Sequence, residues 1–153
     1  MILNAIARHF DVPITGIQVV GSAKTGRSFH KKQDFIVGVS DLDVAVIDGK
    51  LFAKYAEIVL LGSRGYTDLS KFPLKDGTST YEQYIQYLSR GMFRPDLMTV
   101  GPERAEWNGF FARLSARFRR FFGSINACIY LSEAFFESKQ RSTIKCYLDD
   151  KAI

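Results

Sequence analysis

The chain has 153 residues and a mass of 17.3 kDa, enough for one hydrophobic core, which predicts a single domain over residues 1–153. Its 46% hydrophobic and 24% charged residues exclude a disordered or collagen-like chain, and its net charge of +5 permits an anionic partner without requiring one. Two cysteines, Cys128 and Cys146, are too few for a disulfide scaffold, and no stretch approaches the roughly 20 apolar residues of a membrane span. These features predict a reduced, cytoplasmic protein that does not enter a membrane.

Helical and strand patterns alternate along the chain, with glycines and prolines between them. In chain order we predict a helix over 2–10, a strand over 14–20, a loop with or without a short helix over 23–40, a strand over 41–47, a helix over 51–61, an irregular connection over 62–80, a helix over 81–93, a short strand over 95–100, a long helix over 102–122, a strand over 125–131 and a final helix over 132–148. Strands interleaved with helices predict an α/β or α+β domain.

Two aspartates open the predicted strand over 41–47. Alternate residues of a strand point to the same face, so Asp41 and Asp43 share one side and Leu42 and Val44 share the other. Two carboxylates on one side repel each other, and a divalent cation such as Mg²⁺ offsets that repulsion. A solvated strand end that carries two acidic residues is the alternative.

A glycine-serine turn ends the predicted strand over 14–20. Gly21 lets backbone N–H groups approach a phosphate, and the Ser22 hydroxyl can donate a hydrogen bond to it. Lys24 and Arg27 lie in the same turn and can neutralise further phosphate charge. These four residues form a candidate nucleotide-binding set, and an ordinary Gly-Ser turn is the alternative.

Together, the strand ending in Gly21-Ser22 and the next strand, which opens with Asp41 and Asp43, resemble the nucleotidyltransferase-fold (polymerase-beta-like) superfamily. The resemblance covers about residues 14–61, roughly a third of the chain. It implies a small mixed β-sheet backed by helices, and Mg²⁺-dependent transfer of a nucleoside monophosphate from a nucleoside triphosphate to a hydroxyl acceptor. Carried over, it assigns Gly21 and Ser22 to the triphosphate, and Asp41 and Asp43 to metal binding and catalysis. The acceptor stays open: an RNA end, a protein side chain, a small molecule or a second nucleotide.

Active members of that superfamily usually add a third carboxylate on a later strand, beside the acidic pair. The predicted strand over 125–131 contains no carboxylate, and Asp96 and Glu133 are the nearest substitutes. The second hypothesis is therefore an inactive nucleotidyltransferase-like domain that binds a nucleotide, a nucleic acid or a protein partner. The 13 phenylalanines and 7 tyrosines are numerous enough to provide an apolar patch for such a partner or for a homo-oligomer.

Two further sequence patterns indicate other possible functions. Residues 21–28 nearly match the P-loop GxxxxGK[ST], with Arg27 in place of the lysine. Arg113, Arg117 and Arg120 recur along one flank of the predicted helix over 102–122, which favours either a solvated face or contact with a nucleic-acid backbone. A basic nucleic-acid-binding module is thus a third hypothesis.

Overall fold

The computed structural model describes residues 1–21, 27–28 and 33–152, with the backbone alone at 27, 28, 33, 143, 144 and 146–152. The α-helices in these ranges are α1 (Ile2–Phe10), α2 (Gly49–Gly62), α3 (Tyr81–Ser89), α4 (Pro102–Arg117) and α5 (Glu133–Ala152). The strands are β1 (Ile17–Val20), β2 (Arg27–Ser28), β3 (Gln33–Asp34), β4 (Leu42–Ile47), β5 (Leu74–Lys75), β6 (Thr78–Ser79), β7 (Met92–Phe93) and β8 (Ile125–Tyr130). Short 3₁₀ turns cover Ile14–Gly16 and Pro95–Leu97.

The main sheet is mixed, and its strands lie in the order β1-β4-β8-β7. β1 runs antiparallel to β4, β4 runs parallel to β8, and β7 runs antiparallel to β8. A parallel pair needs a long crossover, and the chain between β4 and β8 contains α2, α3 and α4. β2 with β3, and β5 with β6, form separate two-stranded hairpins. The predicted α/β class, with a small mixed sheet backed by helices, is confirmed.

One face of this sheet forms the main core. Along β4, Leu42, Val44 and Val46 are buried on this face, as alternation in a strand requires. Aromatic side chains from the helices pack together above them, where Trp107 lies 4.9 Å from Phe111 and 5.3 Å from Tyr55 between ring centroids. Helix α2 begins directly after β4, because the Asp48 carboxylate accepts a hydrogen bond from the Leu51 N–H at 2.8 Å.

The opposite face of the sheet is only half covered. Phe136 of α5 packs on Tyr130, with 5.2 Å between ring centroids, and both belong to a small buried cluster that includes Ala45. These contacts cover the end of the face where β4 and β8 finish. Asp43 and Asn126, at the end where the same strands begin, are exposed. The second face is therefore open at the beginning of β4 and β8.

The structure corrects three of the predicted boundaries. Helix α3 ends at Ser89 and β7 begins at Met92, because Gly91 adopts the left-handed conformation (φ +69) that terminates a helix. The predicted strand over 95–100 is wrong, since Pro95–Leu97 is a 3₁₀ turn. Helix α4 ends at Arg117, so Arg120 lies beyond the helix rather than on its flank. Among the described residues, no helix is both long and apolar enough to span a membrane.

Candidate functional site

The predicted glycine turn and the second aspartate meet at the junction of β1 and β4. In the antiparallel register, Val20 is the partner of Asp43, and Gly21 follows directly. Gly21 has φ +70, and a β-carbon placed on it would lie 3.2 Å from Oδ2 of Asp43. A side chain at this position would combine a strained backbone with crowding of the carboxylate, which favours glycine. The backbone of Gly21 and the carboxylate of Asp43 are therefore immediate neighbours.

Asp41 lies just before β4, on the side of the strand that faces the chain entering β8. A β-carbon placed on Gly123 would lie 3.1 Å from Oδ1 of Asp41. The backbones are joined here, because the Gly123 N–H donates to the Ser40 carbonyl at 3.0 Å and the Leu42 N–H donates to the Ser124 carbonyl at 2.8 Å. Asp41 is half-buried, whereas Asp43 is exposed. The acidic pair thus spans the start of β4, with one carboxylate beside β1 and the other beside the entry to β8.

Asn126 completes a row of polar side chains across the sheet. In the parallel register it is the partner of Asp43, so both side chains stand on the open face. Its amide nitrogen donates to the Ser124 hydroxyl at 3.0 Å. That bond orients the amide and leaves Oδ1 as its other polar atom. The strand position beside the acidic pair therefore carries an amide oxygen instead of a carboxylate.

The two substitutes predicted for a third carboxylate lie elsewhere. Asp96 follows β7, which lies on the opposite side of β8 from β4. Its carboxylate accepts two hydrogen bonds from Arg94, at 3.1 and 2.7 Å, and lies 3.9 Å from Lys75 Nζ. Glu133 begins α5, after the end of β8, whereas Asn126 lies near the start of that strand. Neither residue occupies the position next to Asp43.

Two of the predicted nucleotide-binding residues, Ser22 and Lys24, lie outside the described residues. Arg27 belongs to β2, where the backbone alone is described. Its assignment to phosphate binding stays a prediction, as do those of Ser22 and Lys24. Arg27–Ser28 pairs antiparallel with Gln33–Asp34 as a strand. A P-loop requires a helix to begin at this point, so the hairpin argues against the P-loop alternative.

A basic and aromatic cluster, which sequence reasoning missed, lies beside β8. Arg94 is bound to Asp96 through two nitrogens, and its guanidinium carbon lies 4.7 Å from the centroid of the Tyr87 ring. Lys139 Nζ lies 5.8 Å from the same centroid. Burial lowers the pKa of Arg94, but hydrogen bonding to Asp96 and the charge of that carboxylate outweigh it and hold the pKa above its ordinary value. The available signal was an arginine and an aspartate two residues apart, directly after Met92-Phe93.

The free thiol of Cys128 lies between this cluster and the acidic pair. Cys128 is two residues from Asn126 and so belongs to the same face of β8. Burial raises the pKa of Cys128 to about 12, and the charges of Arg94, Asp96 and Asp43 also act on the thiol. The thiol is therefore protonated at neutral pH, which makes it a poor nucleophile and a poor metal ligand.

The donors at the start of β4 fit Mg²⁺. This ion prefers oxygen ligands and is commonly held by one or two carboxylates together with substrate phosphates. Asp41, Asp43 and the amide oxygen of Asn126 are oxygen donors of that kind. Within residues 1–21, 27–28 and 33–152, no group of three or more His, Cys, Asp or Glu side chains comes together as a metal site. The two carboxylates and the amide oxygen fit a site in which the phosphates of a substrate supply further oxygen ligands.

Comparison with protein-family models, with curated proteins and with solved structures finds no match to this chain. Gly21, Asp41, Asp43 and Asn126 lie near the start of β4, where Asp43 and Asn126 are exposed on the open face of the sheet.

Proposed function

We propose that the chain is a Mg²⁺-dependent nucleotidyltransferase, which transfers a nucleoside monophosphate from a nucleoside triphosphate to a hydroxyl acceptor. The observation that carries the proposal is the close approach of Gly21 and Asp43, because it brings a backbone position that has no β-carbon next to a carboxylate. The order of the elements supports it as well. Gly21 follows β1, the acidic pair lies at the start of the adjacent strand β4, and β8 pairs parallel with β4 on its other side. Helices cover the opposite face.

The residues of the site would divide the work of binding and orientation. The backbone of Gly21 would approach the triphosphate closely because no β-carbon stands in the way. Asp41 and Asp43 would hold the cation, which when bound neutralises the charge that builds up on the phosphate oxygens. The acceptor hydroxyl forms a bond to the α-phosphorus, the bond from that phosphorus to the bridging oxygen breaks, and pyrophosphate leaves while the hydroxyl proton passes to solvent. The open face beside Asn126 gives the acceptor a way in.

Asn126 favours a second candidate function, an inactive domain that binds a nucleotide, a nucleic acid or a protein partner. An amide oxygen at this position is neutral and binds a cation more weakly than a carboxylate does. Such a domain would retain nucleotide binding through Gly21, Asp41 and Asp43 without supporting transfer. The acceptor, a homo-oligomeric state and a cytoplasmic location stay predictions under either function.

A transfer assay with labelled nucleoside triphosphates and several hydroxyl acceptors tests the proposal. We expect Asp43→Asn to reduce transfer by about 10²–10³-fold, the usual cost of removing one preorganised electrostatic group from a catalytic site. Asp76→Asn is the matched control, because Asp76 is exposed in the turn between β5 and β6 and its left-handed backbone (φ 54) suits asparagine. Equal transfer by both variants would refute the proposal. Absence of transfer in every protein, with nucleotide binding lost only in Asp43→Asn, would favour the binding domain.

A further inference from the structure

A basic and apolar surface lies next to Asp41 and is not part of the nucleotide site. We call it the arginine-phenylalanine surface. It is formed by the last residue of α4, by the turn that follows it and by the loop before β4, and its members are Arg117, Arg119, Arg120, Phe121, Ile36, Val37 and Val39. All seven are exposed, and 54% of the Phe121 side chain is accessible to solvent. Large apolar side chains exposed beside several cations are typical of a binding surface.

Backbone hydrogen bonds join the two segments into one surface. The Gly38 N–H donates to the Phe121 carbonyl at 2.8 Å, and the Gly123 N–H donates to the Ser40 carbonyl at 3.0 Å. Gly123 packs directly against the Val39 carbonyl, where a β-carbon would collide with the backbone. The Phe35 ring anchors the loop beneath, at 5.9 Å from the Phe122 ring between centroids. The two segments that carry the exposed side chains are therefore joined through their backbones.

The arginines of this surface form no ion pairs within the part of the chain that the structure describes. None of Arg117, Arg119 and Arg120 forms an ion pair with a described carboxylate, whereas Arg94 and Arg141 elsewhere do. Arg117, Arg119 and Arg120 fall close together in sequence, and their charges create a positive potential that a polyanion complements. Phe121, the next residue, is exposed and offers a ring face on which an unpaired base can stack.

The surface leads directly to the acidic pair. Gly123 closes the turn, and a β-carbon on it would lie 3.1 Å from Oδ1 of Asp41. A strand held along the arginines could therefore present its end at the start of β4. We infer that the arginine-phenylalanine surface binds single-stranded nucleic acid, whose terminal hydroxyl is the acceptor. The binding stands on the surface itself, whereas the acceptor role rests on the proposed function.

A single strand suits this surface better than a duplex or a membrane. Paired bases are stacked within a duplex and leave no ring face for Phe121. An anionic lipid membrane would also attract arginines beside apolar side chains. The position next to Asp41 favours the nucleic acid, since a membrane lying against this surface would cover the open edge of the sheet.

Fluorescence anisotropy with a short labelled single-stranded oligoribonucleotide tests the binding, without nucleotide or Mg²⁺. We expect Arg119→Gln with Arg120→Gln to weaken binding and to reduce the slope of log affinity against log salt by about 1.4, or 0.7 for each lost phosphate contact. Phe121→Ala should weaken binding by about tenfold and leave that slope unchanged. The matched control is Lys50→Gln with Lys54→Gln, which removes two exposed cations from α2 at the opposite end of β4. This control should bind like the wild type.

Several outcomes would overturn the inference. One is that the lysine control loses as much affinity for the oligoribonucleotide as the arginine variant does. Another is that the wild type binds a duplex of the same sequence with equal affinity. A third is that the protein binds anionic phosphatidylserine vesicles and the oligoribonucleotide does not displace them. Asp43→Asn separates this inference from the proposed function, because it should bind the strand like the wild type. If Asp43→Asn transfers nucleotide normally while the arginine variant loses the strand, the surface stands and the proposed function falls. If Asp43→Asn abolishes transfer while the arginine and Phe121 variants bind normally, the surface falls and the proposed function stands.

Discussion

Asp43 and Asn126 are partners in the parallel register of β4 and β8, and both stand on the open face of the sheet. This pairing limits the negative charge of the site, because a neutral amide stands where a third carboxylate would add a further charge. The Ser124 hydroxyl holds the amide nitrogen at 3.0 Å and so orients the side chain. The metal-free site consequently carries the repulsion of one acidic pair instead of three acidic groups.

Asn126→Asp tests what that amide does. We expect the variant to lose about 0.5 kcal/mol of unfolding free energy without metal, since like charges on adjacent strands repel each other. Mg²⁺ should then raise its melting temperature more than it raises that of the wild type, because a third carboxylate strengthens cation binding. Thermal melting with and without Mg²⁺ measures both effects. Asn108→Asp, an exposed change on α4, is the control. If Mg²⁺ raised the melting temperatures of both variants equally, Asn126 would not be part of the cation site.

Gly21→Ala tests the approach of the turn to Asp43. The left-handed backbone should cost about 1 kcal/mol of unfolding free energy. The added β-carbon should also displace the Asp43 carboxylate, which lies 3.2 Å from the position it would take. We therefore expect weaker binding of a non-hydrolysable nucleoside triphosphate with Mg²⁺, measured by calorimetry.

The matched control for that change is Gly65→Ala. Gly65 has φ +67, close to the +70 of Gly21, and a β-carbon there would meet nothing within 4 Å. It should lose a similar unfolding free energy and bind nucleotide like the wild type. If the two variants bind nucleotide equally well, the contact between Gly21 and Asp43 has no role in binding.

The raised pKa of the Cys128 thiol predicts that the folded protein loses stability at alkaline pH. Burial raises its pKa from 9.0 in the unfolded chain to about 12 in the folded protein. The folded protein therefore holds this proton more tightly, and the contribution to stability is complete below pH 9 and is lost as the pH rises toward 12. Urea unfolding across this range should show a flatter pH dependence for Cys128→Ala than for the wild type. If the unfolding free energies of the two proteins changed in parallel with pH, the loss of stability would not come from Cys128.

The sequence predicted the strands of the site well, because their signals are local. A run of β-branched residues ends at Gly21, and an apolar run follows Asp41 and Asp43, so both strands agree with the structure to within three residues. The predicted strand over 125–131 corresponds to β8 (Ile125–Tyr130). Each of these segments is buried on at least one face, and burial is what hydrophobic patterns record.

The rest of the site depends on contacts between distant residues, which such patterns do not record. The sequence does not single out Asn126, because its register with Asp43 exists only once β8 is paired with β4. The short strand β7 falls within the helix predicted over 81–93, since two residues are too few to show strand periodicity. Gly91 carried the correct signal, because a glycine there ends the helix.

The most direct test of the account is a crystal structure with Mg²⁺ and a non-hydrolysable nucleoside triphosphate. The account predicts a cation with oxygen atoms of Asp41 and Asp43 at about 2.1 Å, and the triphosphate against the backbone of Gly21. A nucleotide and cation bound at another part of the molecule, with both carboxylates left in water, would contradict it.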